Sequence, residues 1–196
     1  QLKEKGESLK LEDIVFEGFG GVLCVEAGGP TPGIGCAGRG IISAFEKLAE
    51  LEAFETYKPD IVIYDVLGDV VCGGFAMPIR GGYAREVFIV SSGEMMALYA
   101  ASNIAQAIKN FGRRGYARLK GIILNAKNIE NEQELVAKAA AEIGTEVVQY
   151  VPRSGDIQIA ENQGGTVSEF VKDSPMVQVY NELAERVLDL SEDEEE

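Results

Sequence analysis

Two cysteines stand where inorganic chemistry is easiest to place. Cys36 lies in GGPTPGIGCAGRG, residues 28–40, and Cys72 in YDVLGDVVCGGFAMP, residues 64–78. Both lie in loops crowded with glycine, whose missing β-carbon lets backbone approach a bulky inorganic group. Two thiolates do not complete a four-cysteine cluster or zinc site. A two-fold dimer would supply the missing pair, because an isologous interface presents the same residues twice. The competing role is plain burial, the common state of a free cysteine.

Asp65 closes an apolar run, and Asp69 follows across Gly68, shortly before Cys72. Carboxylates at the C-terminal ends of parallel strands are where open α/β sheets bind ligands. In phosphate-binding folds such an aspartate holds Mg²⁺, usually through water. A shift of this loop on loss of a γ-phosphate would carry Cys72 with it. Turn formation is the competing role for both aspartates. The phosphate cradle that should accompany them, Gly-x-x-x-x-Gly-Lys-Ser/Thr, does not occur in the chain, and the glycines of residues 28–40 do not replace it.

Composition narrows the chemistry further. The chain has no histidine, which removes imidazole catalysis and ligation, and its three cysteines are too few and too odd in number for a disulfide framework. A net charge of −14 argues against nucleic acid or an anionic membrane as the main partner. No apolar run approaches the roughly 18 residues that a membrane helix needs, and the start lacks the basic-then-apolar order of a signal peptide. The expectation is a cytoplasmic, reducing compartment. With 46% hydrophobic residues among 196, one domain with a sizeable core is expected over residues 1–190, followed by an acidic tail, 191–196. The chain begins at Gln, as a processed product or a fragment would.

The elements that must position these groups alternate. A short β-prone run over residues 22–27 contains Cys24 and leads into the first glycine loop. Ile41, Ile42, Phe45, Leu48, Leu51 and Phe54 then recur at helical spacing, so Cys36 sits at a helix N-terminus, whose free N–H groups favour a thiolate or an anionic cluster. Residues 59–67, PDIVIYDVL, read as a strand covered on both faces. Further strands are expected over 86–92, 119–126 and 146–152, with helices from Met95 to Phe111 and through Leu135, Ala139 and Ile143. Asn131 with Glu134 reads as a capping box, and Ser174-Pro175 opens a last helix. This order predicts an α/β fold with a mainly parallel sheet and helices on both faces.

Residues 28–40 and 65–78, with SGEMMALYAASN at 92–103, closely resemble the iron protein of nitrogenase and its relatives, the ATP-dependent reductase components of tetrapyrrole-reducing enzymes. The resemblance runs from Leu9 to about Leu188. It implies a fold of the phosphate-loop nucleotidase type and a homodimer. One 4Fe–4S cluster would lie on its two-fold axis, held by Cys36 and Cys72 of both subunits. It implies that Asp65 and Asp69 form the switch relating MgATP hydrolysis to the cluster. Asn125, Pro152, Arg153, Gln158 and Glu161, in ILNAK and VPRSGDIQIAE, would lie on the adenine side. Arg39 would dock the larger catalytic component and is ADP-ribosylated in some members; a solvated surface arginine is the alternative. Cys24 matches a non-ligand.

Electrons would pass from a ferredoxin or flavodoxin to a component that reduces dinitrogen. A nickel-tetrapyrrole reductase of methanogens is the alternative partner, and a cluster-binding module without catalysis the alternative in another class. The resemblance also implies a segment before Gln1 carrying the phosphate loop. Without it, core strands would be unpaired and the chain would neither fold stably nor hydrolyse ATP. Ser154 stands where many members have an acidic residue, and the acidic end replaces an extended tail.

Overall fold

A computed structural model describes residues 9–27, 38–68, 77–112 and 117–191. The chain divides into two compact units, Gln1–Pro78 and Ile79–Glu196.

The second unit is built on a parallel sheet of three strands, β3 (Glu86–Ser91), β4 (Arg118–Asn125) and β5 (Val147–Val151), in the order β3-β4-β5. Successive side chains of a strand point to opposite faces, and β4 uses both. Ile122 and Leu124 are fully buried with Ile89 against α4 (Met95–Gly112) and α5 (Glu132–Ile143) through Ala101, Ala105, Ile108, Val136 and Ala140. Ile123 faces a second cluster formed by Val151, Ala160, Val167 and Met176 from β5, α6 (Gly155–Glu161), α7 (Val167–Phe170) and α8 (Pro175–Ser191). Helices therefore cover both faces, and each fully buried aliphatic side chain contributes about 1.5–3 kcal/mol. At the start of the sheet Glu86 is clamped by Arg118 and Lys120 of the neighbouring strand, at the register position Glu86↔Arg118.

Ser174 caps α8 as its sequence implies: its Oγ accepts the N–H of Met176 at 3.1 Å. The capping box at Asn131 does not form. Asn131 adopts a left-handed φ of 56° with no side-chain cap bond. The carboxylate of the next residue, Glu132, accepts the loop N–H groups of Lys127 and Ile129.

The first unit holds a two-residue antiparallel pair, β1 (Phe16–Glu17) with β2 (Leu23–Cys24), where the run 22–27 predicted a longer strand. The helix after the first glycine loop is present as α1 (Gly38–Glu50), but it breaks at Glu52, φ 52°, before a short α2 (Ala53–Tyr57). Residues 59–67 are not a strand. They belong to neither sheet, and Ile61, Val62, Ile63, Val66 and Leu67 are exposed. An apolar run becomes a strand only when a neighbouring strand pairs with it, and neither described sheet includes this one. A short α3 (Met77–Arg80) follows the second glycine loop.

Candidate functional site

Strands β4 and β5 run parallel and finish together, with Asn125 opposite Val151 and the N–H of Ala126 donating to the Val151 carbonyl at 3.0 Å. Asn125 is thereby placed beside the point where β5 gives way to Pro152 and Arg153. This is the carboxyl edge of the sheet, where α/β folds receive ligands. Asn125 and Arg153 are exposed and Pro152 is half-buried.

Ser154 then caps α6, its Oγ accepting the N–H of Asp156 at 3.2 Å. A cap of this kind requires a short side-chain oxygen, and serine supplies it. One turn on, Gln158 Nε2 donates to Glu161 Oε2 and to Asn162 Oδ1, each at 3.3 Å. The amide and carboxylate are thus oriented by one another on an exposed helix face. The first turn of α6 is tied to α8, because the Ser174 hydroxyl donates to Asp156 Oδ2 at 2.5 Å. Tyr180 on α8 has its phenol pKa raised, first by burial and then by the negative charge of Glu161. Five residues named from the sequence, Asn125, Pro152, Arg153, Gln158 and Glu161, thus follow one sheet edge and the helix that leaves it.

Fewer of the residues near the two cysteines are described. Cys36, Cys72 and Asp69 lie outside the described residues. Asp65 is exposed, one residue after Tyr64, whose ring meets Phe45 of α1 at a centroid distance of 5.3 Å. That contact ties the segment carrying Asp65 to the helix that follows the first glycine loop. Arg39 is the second residue of α1. Cys24 is a free, exposed thiol directed at the Val22 carbonyl at 3.8 Å.

Glu132 is the residue that sequence reasoning missed. It is buried at the start of α5, and its carboxylate accepts backbone N–H groups from Gly93 at 2.9 Å, Lys127 at 3.0 Å and Ile129 at 3.2 Å. Burial alone would raise its pKa. The donors of Gly93, Lys127, Ile129 and Asn128 together outweigh that cost and hold the carboxyl below its ordinary value. The only local signal was a carboxylate in a first helical turn, and Gly93 lies far away in sequence.

No described helix is long and apolar enough to cross a membrane. Over residues 1–194 the sequence matches the family of 4Fe-4S iron sulfur cluster binding proteins, NifH/frxC family. A nitrogenase iron protein of Methanospirillum hungatei JF-1 is 52% identical over 190 residues, which are 95% of this chain and 67% of that protein.

Proposed function

The chain belongs to the NifH/frxC family of 4Fe-4S iron sulfur cluster binding proteins, and on that premise we propose that it is the ATP-dependent reductase component of a nitrogenase-type system. The single observation that carries this reading is the family match across residues 1–194, which takes in both glycine-flanked cysteines.

Cys36 and Cys72 are a thiolate donor set of the right softness for iron and sulfide, and a two-fold dimer raises it to the four that a cluster takes. The residues fit the group on that condition. When bound, the cluster supplies a one-electron carrier. Glycine next to each cysteine, Gly35 before Cys36 and Gly73 after Cys72, would leave room for it. Asp65 and Asp69 would hold the magnesium ion, and Cys72 follows Asp69 by three residues, so a change at one would be felt at the other. Arg39 would dock the catalytic component. Asn125, Pro152, Arg153, Gln158 and Glu161 hold the adenine side of the nucleotide along the carboxyl edge of β4 and β5. The phosphates need a Gly-x-x-x-x-Gly-Lys-Ser/Thr cradle, which these 196 residues do not contain. Ferredoxin or flavodoxin is the donor, and the component that receives the electrons reduces dinitrogen.

The test is electron transfer by the protein isolated anaerobically from its native source. Transfer from reduced flavodoxin to the catalytic component should require MgATP and should vanish in Cys72→Ser. Transfer that proceeds without MgATP, or that survives Cys72→Ser, would contradict the reading.

A further inference from the structure

Among the described residues Glu132 is the only buried charged side chain. A buried carboxylate is expensive to desolvate and persists where several hydrogen bonds offset that cost. Its bonds join two loops on the carboxyl edge of adjacent strands. One loop follows β3 and contains Ser92, Gly93 and Glu94, with the Ser92 hydroxyl donating to Glu94 Oε2 at 3.1 Å. The other follows β4 and runs from Asn125 into Lys127 and Ile129. Gly93 donates from the first loop and Lys127 and Ile129 from the second, so one carboxylate bridges both.

The contact is closed to any larger residue. A β-carbon at Gly93 would lie 2.7 Å from Glu132 Cγ, closer than real side chains approach. The loop after β3 therefore comes as near to Glu132 as backbone can.

We propose that Glu132 is a positioning residue of the nucleotide pocket, a latch that makes the loops after β3 and β4 move as one unit and so fixes Asn125. The role in nucleotide binding rests on Asn125 contacting the adenine side; the latch itself rests only on the bonds described. Glu132 does not touch nucleotide. It acts through the backbone of Lys127, two residues after Asn125.

Amide hydrogen exchange of the full-length protein separates the two claims. In Glu132→Gln, which keeps the side chain's size and removes its charge, exchange at residues 92–94 and 126–129 should rise together by about tenfold or more, while Val147–Val151 stays as in the parent. Gly93→Ala, which displaces the carboxylate from the other side, should give the same paired rise. The KM for MgATP should increase about fivefold in Glu132→Gln with kcat unchanged, the signature of lost uniform binding. A rise in one loop only, no rise, or an even rise over β3, β4 and β5 would overturn the latch. Paired loosening with unaltered MgATP binding would overturn its positioning role. Asn125→Ala serves as the control: if it leaves MgATP binding intact, the adenine-side assignment fails, and the latch is judged on exchange alone.

Discussion

The units Gln1–Pro78 and Ile79–Glu196 spend their apolar residues in opposite ways. In the second, Ile122 is 0% exposed and sits between helices on a strand with neighbours on both sides. In the first, Ile63 is 84% exposed, although its run, IVIYDVL, is as apolar as IILN. Composition does not separate the two segments. What separates them is the presence of a neighbouring strand, which satisfies the amides and lets both faces be covered. The comparison teaches that an apolar run states a demand for burial, and that partners decide whether the demand is met.

The largest expected effect follows directly. Ile122→Ala should lower unfolding stability by about 2–5 kcal/mol, because it leaves a cavity in the best-packed part of the sheet. Urea denaturation followed by circular dichroism measures this, and a loss no greater than at an exposed site would erase the contrast between the units. Gly121→Ala should cost about 1–3 kcal/mol by overpacking, since its β-carbon would lie 2.2 Å from Val148 Cγ2 on the neighbouring strand. A stabilising outcome in the same assay would mean that β4 and β5 are not held so close.

The third effect depends on pH. The Glu132 carboxyl is held below its ordinary pKa in the folded chain, so its contribution is present above the unfolded value of about 4.3 and is lost as pH falls through the lower folded value. Stability measured from pH 7 down to pH 3 should fall less steeply in Glu132→Gln than in the parent. Parallel curves would show that the buried carboxylate carries no such linkage. The smallest effect belongs to the first unit: Ile63→Ala, at an exposed site, should change unfolding stability by less than about 0.5 kcal/mol. A loss comparable to Ile122→Ala would show that residues 59–67 are buried after all.

The same contrast governs what could be seen in the sequence. The three strands and the helices α4, α5 and α8 were legible because apolar periodicity, turn residues and the Ser174-Pro175 start agreed with one another. The run 59–67 was misread because periodicity does not report whether a partner strand lies alongside. Asn131 was misread because the local pattern offered a capping box, whereas the residue takes a left-handed φ of 56° with no side-chain cap bond. The proposed adenine-side group rests on resemblance. Neither Asn125 nor Arg153 has a local signature, and their common place at the sheet edge is a product of the β4/β5 register. Cys36 and Cys72 stand out in the sequence as thiols in glycine-rich runs, and their proposed joint use needs a second copy of the chain.

That joint use is the central claim, and iron content tests it most directly. Iron and acid-labile sulfide, counted with Mössbauer spectra on the protein isolated anaerobically, should give about two irons per chain, one four-iron cluster per dimer. Cys36→Ser and Cys72→Ser should each abolish the signal. A full four-iron cluster in every chain, or a cluster that survives either substitution, would contradict the account.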